Sequence, residues 1–129
     1  MTSGLPEVSP HVADGETLQW GGREWTALET NGHAEGHLCL FTPTDALLIS
    51  GDQVLPTISS NIGFTWRSKD PNPLHSFLSS LQRLHALPHE TLVLPSHGVP
   101  FRGLQSRVED LTRHHEDQLV SVTAACREP

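Results

Sequence analysis

The chain has 129 residues, which is the usual size of one domain built around one hydrophobic core. Eight Lys and Arg against fifteen Asp and Glu give a formal net charge of −7, which argues against a nucleic-acid partner. The two cysteines form neither a CxxC pair nor a disulfide framework, and the apolar runs are too short to cross a membrane, so we expect a cytoplasmic protein without a membrane partner.

Two hairpins are predicted in the first half of the chain. Residues 1–13 show no periodicity and are predicted to form a flexible N-terminal arm, ahead of a single domain over residues 14–129. Residues 16–20 and 23–30 alternate apolar and polar side chains around Gly21-Gly22, which is typical of a tight β-turn. Residues 38–42 and 46–50 flank Pro43-Thr44-Asp45, which predicts a second hairpin.

Two helices and a short strand are predicted in the second half. Residues 54–70 are irregular, and a loop of this length in one domain is usually functional. Asn72 is suited to cap a helix that starts at Pro73 and ends near Leu87. Residues 91–94 predict a strand. A final helix from about Leu104 carries one apolar side, formed by Leu104, Val108, Leu111, His115, Leu119 and Val122.

Three predicted strands are each followed by a turn that carries a His or an Asp. These residues are His33 between two glycines, Asp52 after Ser50-Gly51, and His97 after Pro95-Ser96. A single loop His or Asp is more often a turn former or a solvated group than a metal ligand. The repeated strand-then-turn context nevertheless favours convergence of these three side chains on a metal ion.

The same motifs resemble those of the metallo-β-lactamase-fold hydrolases. The resemblance covers the chain from Asp14 onward and implies the C-terminal half of an αββα sandwich, an α+β fold with mostly antiparallel strands followed by two helices. In that family a TPGHSPGH-like motif supplies a His of the first metal site, an SGD motif supplies the Asp that bridges both metals, and a later GH motif supplies a His of the second site. By position these ligands are His33, Asp52 and His97, and His37 matches a structural hydrogen-bonding histidine.

The resemblance implies a metal-dependent hydrolase that cleaves an ester, thioester, lactam or phosphoester of a small molecule through metal-bound hydroxide. Asp52 would be catalytic, and zinc is the expected metal, with iron and manganese as alternatives. The segment 58–66 is similar to the family stretch beside the site, so Asn61, Phe64 and Trp66 are candidates for substrate binding. The alternative for Phe64 and Trp66 is that they cover the core.

Two departures from the family pattern limit this prediction. Asn31 and Glu35 replace the prolines of the first motif, which would loosen the loop or place a carboxylate near the ion. No HxH occurs in the chain, so the family's HxHxDH motif is absent and three ligands remain. The chain is therefore expected to carry part of an active site and to need the missing N-terminal half or a second copy of itself. The alternative is a non-catalytic, truncated domain that acts as a binding or assembly module.

The remaining histidines are predicted to have no part in a metal site. Adjacent helical residues diverge by about a quarter turn, so His114 and His115 do not face one ion, and His115 alone shares the apolar side of its helix. His75, His85 and His89 lie on or beside the first predicted helix and are expected to be solvated.

Overall fold

The computed structural model describes Gly4 and residues 11–127. In chain order the elements are β1 (Thr17–Trp20), β2 (Arg23–Glu29), β3 (Leu38–Thr42), β4 (Leu47–Gly51), α1 (Pro73–His85), β5 (Leu92–Pro95) and α2 (Leu104–Arg127). This order confirms the predicted α+β class. Most of the predicted N-terminal arm lies outside the described residues.

The five strands form one sheet in the order β1-β2-β3-β4-β5. The first three pairs are antiparallel, and β4 pairs with β5 in parallel. Because β2 and β4 are both antiparallel to β3, they run in the same direction, and β5 follows them. The carboxyl ends of β2, β4 and β5 therefore meet at one edge of the sheet.

Both predicted hairpins are present, and their turns differ in kind. Gly21 and Gly22 have φ values of +59° and +73°, the left-handed conformation that a two-residue hairpin turn needs and that glycine adopts without strain. In the second hairpin Ala46 also has a positive φ, of 51°, and its N–H lies 3.4 Å from the carbonyl oxygen of Pro43. Ala46 therefore belongs to the turn, and β4 starts one residue later than predicted.

The first helix begins as predicted and ends slightly early. The Asn72 side chain accepts a hydrogen bond of 3.1 Å from the His75 N–H, and Pro73 occupies the first helical position, where its lack of an N–H costs nothing. The helix ends at His85 instead of near Leu87. Its apolar side is fully buried at Phe77, Leu81 and Leu84 and half-buried at Leu74 and Leu78.

The hydrophobic core lies between one face of the sheet and the two helices. The strands contribute Leu28, Cys39, Leu48 and Val93, and the helices contribute Phe77, Leu81, Leu84, Leu104, Val108 and Leu111. Strand alternation places Leu40, Leu47, Ile49, Leu92 and Leu94 on the opposite face, where they are half-buried.

The second half of α2 departs from the prediction. Leu104, Val108 and Leu111 are buried, but Leu119 and Val122 are 47% and 61% exposed. The expectation of one continuous buried side is therefore wrong beyond the half-buried His115, because α2 extends past the part of the sheet and α1 that covers its first turns. Within the described residues, neither helix combines the length with the apolar character that a bilayer-spanning segment needs.

Candidate metal centre

The three predicted ligands meet at the carboxylate of Asp52. The Nε2 atom of His33 lies 3.4 Å from Asp52 Oδ2, and the Nε2 atom of His97 lies 3.2 Å from Asp52 Oδ1. Each imidazole thus faces a different oxygen of the same carboxylate. An Asp in this position can bridge two cations while each His binds one of them.

The sheet explains why these distant residues meet. Each of them follows the carboxyl end of one of the three strands that run in the same direction, β2, β4 and β5. At the last register position Gly51 pairs with Pro95, and the Ser96 N–H donates to the Gly51 carbonyl over 3.0 Å. This backbone bond holds the turn that carries His97 beside the turn that carries Asp52.

His33 is held in one orientation by a backbone carbonyl. Its Nδ1 atom lies 2.7 Å from the carbonyl oxygen of Asn61. Because a carbonyl only accepts hydrogen bonds, Nδ1 carries the proton, and in the neutral ring the lone pair is on Nε2, the atom that faces Asp52. Histidines that bind metals usually donate their second ring N–H to a carbonyl or a carboxylate in this way.

Asp52 is held as a carboxylate by its neighbours. The Ser96 hydroxyl donates to Oδ1, and this hydrogen bond is the main reason why the pKa of Asp52 lies below its usual value. Partial burial opposes the shift, and the nearby His33, His97 and His37 add to it. Sequence reasoning did not identify Ser96 as part of the site, although it lies directly before His97 in the motif.

His37 binds the backbone beneath Asp52 and does not contact its carboxylate. Its Nε2 atom accepts from the Asp52 N–H over 3.3 Å, and its Nδ1 atom lies 2.9 Å from the Thr30 hydroxyl. Burial lowers the pKa of His37, and the neighbouring His33 lowers it further, so the ring is neutral and Nδ1–H donates to Thr30. The buried Thr30 was also not identified from the sequence.

The donor atoms suit a metal ion in kind but are too few for a complete site. Among residues 11–127, no group of three or more His, Cys, Asp or Glu side chains surrounds one common point. The structure instead shows two facing pairs that share Asp52. Since catalytic zinc usually has three protein ligands, each side of Asp52 would need further donors.

The three predicted substrate-binding residues have different surroundings. Asn61 lines a cleft of about 500 Å³ together with Ser59, His114 and His115. Phe64 and Trp66 are 65% and 86% exposed, so the alternative that they cover the core is wrong.

A smaller cavity of about 250 Å³ opens beside His33, and Glu35 and Arg67 are among the residues that line it. Glu35, one of the two residues that replace the family prolines, accepts from the N–H groups of Lys69 and Asp70 at 2.6 and 3.1 Å. Its carboxylate therefore fixes the neighbouring loop.

The histidines of the two helices lie away from this centre. The Nε2 atom of His115 is 3.0 Å from the Ser59 hydroxyl, and its ring packs edge-on against Phe77, which agrees with the predicted place at the rim of the core. His85 differs from the prediction of a solvated residue, because its Nε2 atom lies 3.0 Å from a carboxylate oxygen of Glu109 on α2.

Comparisons with known proteins agree on the fold family. No protein-family model matches the chain. A probable metallo-hydrolase, YqjP, of Bacillus subtilis is 38% identical over 88 residues, which are 66% of this chain. An atrochrysone carboxyl ACP thioesterase of Aspergillus fumigatus is 29% identical over 84% of the chain, and a hydroxyacylglutathione hydrolase of Cereibacter sphaeroides is 27% identical over 72%. The chain spans 27%, 24% and 34% of the lengths of these three proteins.

Solved structures give the same result. A beta-lactamase domain protein from Burkholderia ambifaria superposes with a TM-score of 0.91 and 40% identity over 96% of this chain and 38% of its own length. The metallo-beta-lactamase family protein TTHA1429 from Thermus thermophilus gives a TM-score of 0.87 and 33% identity over 96% of this chain and 40% of its own. A di-iron-bound form of TTHA1623 gives 0.61 and 29% identity over 80% of this chain and 48% of its own. The chain therefore belongs to the metallo-β-lactamase-fold superfamily and corresponds to only part of the length of its relatives.

Proposed function

We propose that the chain contributes one part of a two-metal hydrolytic centre, with His33 on the first ion, His97 on the second, and Asp52 between them. The observation that supports this most directly is the position of the Asp52 carboxylate, which has an imidazole nitrogen 3.4 Å from one oxygen and another 3.2 Å from the other. Zinc is the metal expected for imidazole and carboxylate ligands. Iron is the first alternative, since one structural relative is described in a di-iron-bound form.

The residues of this chain would bind and orient the metal ions, and each of them has a separate role. A bound metal ion would supply an activated water and would polarise the carbonyl or phosphoryl group of the substrate. Asp52 would hold its negative charge between the two positions because the hydrogen bond from Ser96 lowers the pKa of its carboxyl group. His33 would present Nε2 because the Asn61 carbonyl holds its Nδ1–H. His37 would fix the backbone from which Asp52 projects.

The remaining ligands would come from a segment outside these 129 residues or from a second copy of the chain. The half-buried leucines on the outer face of the sheet and the exposed Leu119, Val120 and Val122 of α2 support a covering partner. We expect a dimer or a larger assembly by light scattering. A monomer whose sheet amides are well protected from hydrogen exchange would contradict this proposal.

The substrate class that we propose first is a small-molecule thioester. Two relatives carry names that describe such an activity, a thioesterase and a hydroxyacylglutathione hydrolase. Esters, lactams and phosphoesters remain the other candidate classes, because one such centre serves several chemistries. Asn61, Phe64 and Trp66 lie on the loops beside the centre and would contact the substrate, with Arg67 stacked over the Trp66 ring at 4.6 Å.

Metal content and one variant test the proposal. Purified protein with bound zinc, iron or manganese, and thioester hydrolysis that is lost in Asp52→Ala, would support it. The matched control is Asp117→Ala, which removes an exposed carboxylate from α2 and should leave hydrolysis unchanged. Less than about 0.1 equivalents of metal after gentle purification, with no change on addition of Zn²⁺, would reject a metal centre in this chain.

The second candidate function is a non-catalytic binding or assembly module. It is favoured by the observation that no three-ligand group occurs among residues 11–127. In that case the protein would assemble as expected above but bind no metal, and Asp52→Ala would leave its assembly unchanged. Hydrolysis that depends on Asp52 would reject this alternative.

A further inference from the structure

We propose that Arg107 is a positioning residue, which sets the geometry of the candidate metal centre by fixing the loop of residues 52–61 to α2. This inference rests on the proposed function, because the loop matters for chemistry only if the three ligands bind metal. Arg107 itself contacts none of the three.

The loop of residues 52–61 contacts all three candidate ligands or their immediate neighbours. It begins with Asp52 and ends with Asn61, whose carbonyl accepts from His33 over 2.7 Å. In its middle, Pro56 packs against Gly98, the residue after His97, so closely that a Cβ atom at Gly98 would lie 2.6 Å from Pro56 Cγ. The position of this one loop therefore sets how the three side chains are spaced.

The loop has no helix or strand of its own to keep it rigid. The hydrogen bonds that it makes with itself and with β4 involve residues 52–54 and 59–60, including one from the Ser50 hydroxyl to the Val54 carbonyl over 2.9 Å. The Ser60 hydroxyl donates to the carbonyls of Asp52 and Gln53, and the Gln53 N–H donates to the Ser50 carbonyl over 3.0 Å. The middle of the loop needs support from elsewhere in the fold.

Arg107 provides that support from α2. Its Nε atom donates to the Leu55 carbonyl over 2.7 Å, and its Nη2 atom donates to the Ile58 carbonyl over 2.9 Å. The helix at this point is rigid, because Leu104 and Val108 are buried in the core. A planar guanidinium with two donors in a fixed relation holds two points of the loop at once, which a single donor cannot do.

A second contact ties the end of the loop to the same helix. The Ser59 hydroxyl lies 3.0 Å from Nε2 of His115 on α2. Ser59 is two residues before Asn61, whose carbonyl binds His33. Residues 59–61 therefore connect α2 to the carbonyl that accepts the hydrogen bond from His33. Loss of Arg107 would leave the carbonyls of Leu55 and Ile58 without their donors and release the middle of the loop, so that Asn61 no longer holds one orientation of His33.

The test compares Arg107→Gln and Arg107→Lys with Arg113→Gln in the full chain. Arg113 lies on the same helix, is exposed and pairs with Asp110, so its loss controls for the change of charge. The nitrogen signals of His33 are recorded by NMR in metal-free protein at about pH 8.5, where unperturbed imidazoles are neutral. Wild type and Arg113→Gln should show the proton on Nδ1. Arg107→Gln should show a mixture of both tautomers, and Arg107→Lys an intermediate population.

Zinc titration by calorimetry is the second readout. Loss of a group that orients a metal-binding His typically weakens metal affinity by about 10-fold or more, and we expect a loss of at least this size for Arg107→Gln. If Arg107→Gln does not fold, Arg107→Lys provides the comparison. Unchanged His33 signals in the Arg107 variants, or an equal change in Arg113→Gln, would overturn the inference. Absence of zinc binding in wild type would reject the proposed function, while the His33 signals would still decide the role of Arg107.

Discussion

Gly32 lies where the first metal-motif loop meets α1, and Gly32→Ala is expected to destabilise the fold strongly. A Cβ atom at this position would lie 2.4 Å from the Cβ and 2.6 Å from the Cα of Phe77. Phe77 is fully buried, and two of its clashing atoms, Cα and the backbone N at 2.7 Å, belong to the helix backbone, so the overlap cannot be relieved by a side-chain rotation. The φ of Gly32, +113°, is also a conformation that L-residues rarely adopt.

The magnitude follows from these two contributions. A side chain in such a backbone conformation costs about 1–3 kcal/mol, and the forced displacement of a packed element costs about the same again. We therefore expect the free energy of unfolding to fall by about 2–6 kcal/mol, which is a large part of the ~5–15 kcal/mol that stabilises a typical domain.

The assay is equilibrium unfolding in urea, with Gly36→Ala as the matched control. Gly36 lies in the same loop and has a φ of +72°, but no heavy atom lies within 4 Å of the position of its missing Cβ. Its substitution should lower the free energy of unfolding by only about 1–2 kcal/mol, the cost of placing an L-residue in the left-handed backbone conformation. Equal losses of stability in the two variants, within about 0.5 kcal/mol, would refute the steric argument.

Two further predictions concern the buried groups behind the centre. Burial raises the pKa of Cys39 to about 11, so the unfolded thiol ionises first, and the free energy of unfolding should fall by about 2–3 kcal/mol between about pH 9 and pH 11. Urea unfolding of Cys39→Ala should lack this fall, and the same slope in the variant would contradict the assignment. Thr30→Val removes the partner of the His37 Nδ1–H and should cost about 1–3 kcal/mol. Thr44→Val, in an exposed turn, should cost less than about 0.5 kcal/mol, and comparable losses in both variants would exclude a special role for Thr30.

The local structure could be predicted well from the sequence because its signals are local. Gly21-Gly22 indicates a hairpin through the φ values that only glycine adopts freely, and Asn72-Pro73 indicates a helix start through capping. The strand-then-turn context of His33, Asp52 and His97 depends on the same kind of signal, and the structure brings these three side chains together.

The remaining features depend on tertiary contacts that no local pattern records. Asn61 was selected for its side chain, but it is its backbone carbonyl that holds His33, and every residue has such a carbonyl. The exposure of Trp66 and Leu119 could not be predicted, because an apolar side chain is buried only if another element reaches it. The hydrogen bond from Ser96 to Asp52 requires the parallel pairing of β4 and β5, which the spacing of the two strands did not determine.

The parallel pairing of β4 and β5 has a consequence for how the protein folds. The two strands are separated in the chain by the long loop and α1, so they can pair only after this whole segment has closed into a loop. Closing such a long segment costs more conformational entropy and takes more time than forming a hairpin. We therefore expect His97 to reach Asp52 later in folding than the two hairpins form. An ion bound between them would connect parts of the chain that are far apart in sequence, and a chelator would accelerate unfolding of the C-terminal half before it affected the hairpins.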